Sequence, residues 1–547
     1  MNEYEEFEET YSQEEIDLIS LGKSYYENEK YEDTIDIFLE LINLNPDNYE
    51  SWHYLGMSYA QIKEYEKAIG FLLKAIEYNP EEELDWCWLG YSYNENEQYQ
   101  EAINSLLKAV ELNPNNEYNW YELGRSYNGN KQYREAIESL LKAVELNPNN
   151  EYNWYWLGHS YNGNKQYKEA IESLLKAVEL NPNNEYNWYE LGYSYNKNKQ
   201  YKEAIESLLK AVELNPNNEY NWYWLGRSYE DNKQYKESIE CLLKSVEINP
   251  SNEYNWYWLG RSYEDNKQYK ESIECLLKAV ELNPNDEDNW YWLALAYFQN
   301  GQYKKTEEAL LKAIEIKPDY YDCWCGLILS YKKMEDFINE IETCKQLIKL
   351  NPDDDIGWEY LGNAYYKNEQ YKEAIESFLK TVELNPENDN NWYWLGCSYC
   401  KNNQYQEAIE NLLKAVKINP DNDNNWYWLG KSYCKNKYYK KAIESLLKAI
   451  ELNPNDEYNW LWLGNSYIGL KDYNKASESY EKGIEINSTN CNMLNNYGLA
   501  LANLNRIEEA KKYFEKALKI DSNYQLAKDN IDSLNSFNIN SLRISEE

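Results

Sequence analysis

All thirteen prolines of the chain, from Pro46 to Pro454, fall at intervals of 34 residues. A globular core built from unlike elements has no cause to space its prolines evenly, so the chain is an array in which proline punctuates one recurring unit. Ser488 and Ser522 continue the register where proline has been lost. Whatever such a chain does, it does through the surface that its units share.

Residues 117 to 150, EYNWYELGRSYNGNKQYREAIESLLKAVELNPNN, show the unit as positions 1 to 34, with Pro148 at position 32. Trp120, Leu123, Gly124 and Tyr127, at positions 4, 7, 8 and 11, recur at i, i+3, i+4 and i+7, one face of an α-helix. Ala136, Ile137, Leu140, Leu141, Ala143 and Val144 make the facing stripe of a second helix. Gly124 and Ala136 are small enough for the two backbones to cross closely. Asn130 or Gly129 is placed to take the left-handed conformation that ends the first helix. Asn147 precedes Pro148 and is pushed out of the α region, which stops the second helix. Asn149 or Asn150 is then the N-cap of the next first helix.

Trp-x-x-Leu-Gly-x-x-Tyr, followed by Ala, Ala and Pro at these offsets, closely resembles the tetratricopeptide repeat. Fifteen units run from 15–48 and 49–82 in 34-residue steps to 491–524, after an acidic tail over 1–14 and before a capping helix and polar, fraying tail over 525–547. The resemblance implies an all-α fold, a right-handed α-solenoid superhelix of antiparallel helix pairs, with a concave groove where protein partners bind. The first unit departs from the pattern (Leu18, Thr34), as does the last (Leu494, Tyr497), and terminal units are expected to be atypical because one side meets water. In the tenth, 321–354, Ile328 replaces the glycine and Glu340 the small residue at position 20. This marks either a bend between units 1–9 and 11–15 or a locally repacked unit.

The opening MNEYEEFEETYSQEE has no basic n-region and no apolar h-region, and no run approaches about 18 apolar residues, so a soluble, unsecreted protein without membrane insertion is expected. The ten cysteines lack paired spacing, which suits reduced thiols in a cytoplasm. Enzymatic chemistry has little to work with. His53 and His159 lie three units apart, and phosphate loops, nucleophile elbows and metalloprotease motifs are missing. Glutamates recur at positions 19, 22 and 29 as the solvated skin of the second helix. The repeats use up the chain, leaving no room for a catalytic domain, so neither catalytic residues nor a cofactor are expected. Cys397, Cys400 and Cys434 alone resemble a metal site, and they lack the fourth ligand that structural zinc prefers.

What remains is the outward face of the first helix, positions 2, 5, 6, 9, 12 and 13. All 21 tryptophans sit at two positions, thirteen at position 4 and eight at position 6. The second set, Trp88, Trp156, Trp224, Trp258, Trp292, Trp394, Trp428 and Trp462, is not required by packing within a unit. Tyr155, Tyr223, Tyr257, Tyr291, Tyr393 and Tyr427 accompany it at position 5, with Tyr152, Tyr220 and Tyr254 at position 2. Rigid aromatic side chains give large contact area at low entropic cost, so such a groove would hold peptide or protein segments. The rings could instead pack sideways on neighbouring repeats.

A net charge of -40 repels phosphate backbones, so nucleic acid is not an expected partner, nor is a small-molecule substrate. Glu230, Asp231, Glu264 and Asp265 at positions 12 and 13 give way to Lys333, Lys367, Lys401 and Lys435 at position 13, with Lys431 at position 9. That sequence of charge would orient an extended partner. The Lys and Asn pattern with which some repeats of this family clamp chaperone C-termini is lacking. So is an asparagine ladder at position 6, where only Asn496 stands. Asn94, Asn128, Asn162 and Asn196 do form a ladder at position 12, suited to hydrogen-bonding a peptide backbone. The expectation is a non-enzymatic interaction scaffold. The alternatives are a co-chaperone or assembly factor, or a regulatory subunit of a separately encoded enzyme.

Overall fold

Each 34-residue unit becomes two helices because its apolar residues recur at helical spacing and its ends are capped by its own side chains. The computed structural model describes residues 12–536 and 539–545, and among them all regular structure is helical. Glu117–Gly129 and Tyr133–Leu146 are representative of the pair. Asn150 is the N-cap of the following helix, its side chain accepting from the Tyr152 amide at 3.0 Å. Leu140, Ala136 and Ala143 are fully buried between the two helices. A Cβ placed on Gly124 would overlap Leu140, so the glycine at position 8 is what lets the helices meet.

The left-handed residue is neither Gly129 nor Asn130. It is Lys131, at φ 59°, and position 15 has positive φ in all fifteen repeats, with glycine there only once, at Gly301. The first helix runs through Gly129, and its end is closed by the Gln132 amide donating to the Tyr127 carbonyl (2.8 Å) and the Lys131 amide to that of Asn128 (2.9 Å). This pair of bonds requires the left-handed residue one place later than the sequence suggests.

The prolines have a second use. In thirteen repeats the position-4 tryptophan donates its indole N–H to the carbonyl of the proline six residues earlier, at 2.8 to 3.1 Å. The end of one repeat is thus tied to the start of the next.

The chain divides into two compact parts, Met1–Asn283 and Pro284–Glu547. The first holds eight helix pairs, and the second holds seven pairs and the helix Gln525–Asn535. In repeat 10, within the second part, both helices form, as Tyr321–Met334 and Phe337–Leu350. Ile328 at position 8 is fully buried and is accommodated by Cys344 at position 24, where other repeats carry Leu, Phe or, once, Tyr. Volume lost on one helix is regained on the other, the mark of a repacked unit.

Candidate binding face of the first helices

The position-6 tryptophans do not stand free. Trp88, Trp156, Trp224, Trp258, Trp292, Trp394 and Trp428 are half-buried, and Trp462 is 3% exposed. Each leans toward the preceding repeat where a partner ring is present: Trp224 meets Tyr193 edge-on at 4.8 Å, and Trp394 meets Tyr366 at 5.3 Å. The position-5 tyrosines brace them from their own helix, with ring centroids 5.0 to 5.7 Å apart for Tyr155, Tyr223, Tyr257, Tyr291, Tyr393 and Tyr427. Sideways packing wins where the ring finds apolar surface on the preceding repeat.

Position 9 completes this layer, where Arg125, Arg227 and Arg261, missed in the sequence, recur with Lys431. The Arg227 guanidinium lies 3.2 Å from the centre of the Trp258 ring, and Arg261 approaches the same ring at 4.4 Å. Lys431 sits between Trp428 (4.6 Å) and Trp462 (5.0 Å), and burial pulls its ammonium pKa down. Indole faces carry negative potential, so a cation held there is stabilised without a carboxylate.

The charge pattern is altered by these cations. Glu230 is 8% exposed, 3.6 Å from Arg227 and 3.8 Å from Arg261. Burial pushes its carboxyl up to about 7, against the pull of both arginines. Burial also raises Glu264 and Asp265, while Asp231 is exposed and accepts from the Asn196 amide at 2.9 Å. The acidic stretch inferred for repeats 7 and 8 is therefore offset by arginine. Lys333, Lys367 and Lys401 are exposed, and Lys435 is half-buried, 5.6 Å from the Trp462 ring.

Three of the four position-12 asparagines use their amide nitrogens within the array. Asn128 donates to Ser160 (2.6 Å), Asn162 to Glu190 (2.9 Å) and Asn196 to Ser228 (3.2 Å), so these amide nitrogens join repeats and do not await a peptide. The exposed aromatic surface is at position 2, where Tyr152, Tyr186, Tyr220 and Tyr254 are 54, 57, 55 and 55% exposed. Tyr152 and Tyr186 line a cavity of about 450 Å³ with Tyr121, Arg125 and Trp156.

The face is occupied in one place. Residues 543–545 do not fray but lie against the last repeats, their backbone held by asparagine side chains. Asn496 accepts from the Ser545 amide (2.7 Å) and donates to its carbonyl (3.1 Å). Asn530 does the same for Arg543, with both bonds at 2.9 Å. Asn495 adds a bond to the Arg543 carbonyl (3.3 Å). Asn465, Asn495, Asn496 and Asn530 are all nearly or fully buried. Ile544 lies beside Trp462 and Lys435, on the face that carries positions 6 and 13.

The remaining polar candidates are structural. His53 pairs with buried Asp85 (2.7 Å) and His159 with Glu190 (3.0 Å), and the two imidazoles share no partner. Burial pushes the thiols of Cys397 and Cys400 up, and among the described residues no three His, Cys, Asp or Glu side chains are arranged to hold a metal. Among those residues no helix is long and apolar enough to cross a membrane.

Consecutive helix pairs with a common first-helix face define an α-solenoid of the kind that serves as an interaction scaffold. The family described as "Anaphase-promoting complex, cyclosome, subunit 3" matches residues 73–143, 129–211, 209–279, 334–415, 367–449 and 413–483, more than half of the chain. Descriptions reading "Tetratricopeptide repeat" match 49–82, 288–320 and 492–524, and "TPR repeat" matches 260–301. The chain belongs to this family of tetratricopeptide repeat proteins. No curated protein matches it. Among solved structures, the APC/C hetero-tetramer Cut9-Hcn1 is similar at 15% identity and TM-score 0.37, covering 81% of this chain and 95% of that one. The C-terminal part of a TPR repeat-containing protein from Cytophaga hutchinsonii is similar at 20% identity and TM-score 0.39, covering 44% and 99%. YrrB, titled a TPR protein with an unusual peptide-binding site, is similar at 25% identity and TM-score 0.31, covering 34% and 95%.

Proposed function

We propose that this chain is a non-enzymatic cytoplasmic scaffold that holds extended segments of partner proteins against its first-helix face. The observation that carries the reading is the chain's own tail, whose backbone is gripped by the paired amides of Asn496 and Asn530. An amide side chain offers a donor and an acceptor side by side, which is what one peptide unit of an extended segment needs, whatever its sequence. Specificity would then come from the aromatic and charged groups beside the backbone, namely the position-2 tyrosines and the position-6 and position-9 pairs. The exposed first-helix lysines, Lys333, Lys367 and Lys401, would set the direction of the partner.

The test is affinity capture from cell extract with the full chain and with a variant carrying Tyr152, Tyr186, Tyr220 and Tyr254 all as alanine. These rings are exposed, so helicity should not change, while retained partner should fall about tenfold or more, as for the loss of aromatic anchors. Equal retention by both would sink the aromatic-face reading. Recovery of a heat-shock chaperone through its C-terminal tail would favour the co-chaperone alternative, and a stoichiometric enzyme would favour a regulatory subunit.

A further inference from the structure

From repeat 2 to repeat 15, position 6 always carries a side chain, except in repeat 10, where it is Gly326. Where it is Trp224 or Trp394, this side chain lies in a slot on the preceding repeat. Trp224 reaches position 9 (Tyr193), and Trp394 reaches positions 12 and 24 (Tyr366 at 5.3 Å, Phe378 at 6.4 Å). In repeat 10 the corresponding slot is a cavity of about 290 Å³. Its walls are Leu295, Phe298 and Leu310, the same positions 9, 12 and 24 of repeat 9, with Cys325 and Leu329 of repeat 10. A Cβ built on Gly326 would stand 3.1 Å from Leu310 Cδ1, so a side chain there would enter this cavity. Of the lining residues, exposed Asp322 is the one that carries a charge.

We propose that this slot receives the indole of a tryptophan from a partner peptide, with a lysine or arginine beside that tryptophan paired to Asp322. The array itself identifies the occupant: position 6 is tryptophan in eight other repeats, and the indoles of Trp224 and Trp394 lie against the same positions of the preceding repeat. An aromatic ring buries about 150–250 Å² on such apolar walls, enough to anchor a peptide. The carboxylate on the rim and the chain's net charge of -40 select a cationic neighbour. The inference deepens the scaffold reading and rests on it, by assigning one pocket of the face to one side chain.

The experiment is fluorescence anisotropy of a labelled Lys-Lys-Trp-Lys-Lys peptide on the full chain, beside peptides with Ala for Trp or Glu for Lys. Binding of the first should exceed that of the alanine peptide by about tenfold or more. Gly326→Trp fills the slot from within and should abolish that difference, with Gly326→Leu as a milder plug if the larger ring perturbs folding. Asp322→Asn should weaken the lysine peptide about threefold and leave the glutamate peptide unchanged. Equal binding to wild type and both plugged variants overturns the proposal, as does equal binding of the tryptophan and alanine peptides. Free tryptophan amide competing as well as the peptide also overturns it, since the slot would then be a small-molecule site. Partner capture that survives Gly326→Trp leaves the scaffold reading standing even where the pocket fails.

Discussion

Repeats 7 and 8 and repeats 14 and 15 build the same helix pair and cover its outward face in opposite ways. In the former, Arg227 and Arg261 lie on Trp258, and Glu230 is drawn between them. Charge is held in a half-buried layer by indole faces. In the latter, Trp462 is almost fully buried, Asn465 replaces the position-9 cation, and Asn495 and Asn496 replace the aromatic pair of positions 5 and 6. A segment of the chain itself lies on top. The contrast teaches that the helix positions alone do not make a peptide site. A cation rests on the neighbouring ring, whereas the buried amides of Asn496 and Asn530 present a donor and an acceptor side by side, and a backbone peptide group matches both.

The strongest way to break this contrast is to remove the grip. Asn496→Ala leaves the Ser545 N–H and carbonyl without their partner and removes one of the two bonds to the Asn465 side-chain oxygen, which keeps the one from Tyr480, at a cost of about 3 kcal/mol to the last repeat. Hydrogen exchange should show the backbone of 543–545 losing protection while repeats 7 and 8 keep theirs. Protection unchanged at the tail would mean that the amides do not hold it.

The charged layer is tested by pH. Glu230 titrates near 7 when folded, against 4.5 for an ordinary glutamate, so the folded state binds the extra proton between those values. Its contribution to stability is therefore lost as pH rises from about 4.5 to 7. Glu230→Gln should stabilise the chain at pH 8 by on the order of 2 kcal/mol and change little at pH 4, read by urea melts. A gain that does not depend on pH would show that the carboxylate is not strained. The smallest effect sharpens the picture of the ring contact: a double-mutant cycle of Arg227→Met and Trp258→Leu should give a coupling of about 1 kcal/mol. Additive losses would mean that the guanidinium is merely near the ring.

Much of the fold was legible because it is written locally. Thirteen prolines, the Trp-x-x-Leu-Gly-x-x-Tyr stripe and the asparagine caps each act within one 34-residue unit, and helices of that register follow. The turn was misplaced by one or two residues because lysine at Lys131 gives no sign of a left-handed conformation. The face was less legible. Whether Trp258 stands free or lies down depends on the preceding repeat's first helix and on an arginine one repeat away. The tail clamp joins residues 49 apart, Asn496 and Ser545, and no periodicity can show a contact made once. The signal that was there is the run Asn495-Asn496 in an atypical last repeat, two buried amides where six other repeats have a tyrosine and a tryptophan.

The bond from each position-4 indole to the proline carbonyl six residues earlier bears on how such a chain can change its length. Donor and acceptor belong to different repeats, yet both recur with the same period, so a copy of any 34 consecutive residues in the regular region brings one of each and rejoins both ends correctly. The segments 219–244 and 253–278, identical residue for residue, are what such copying leaves behind. Growth by whole periods preserves every joint without a second, compensating substitution. Reach is thus the property this architecture can alter most freely, whereas the last repeat, with Leu494 for the indole donor and Ser488 for the proline, is where that freedom ends.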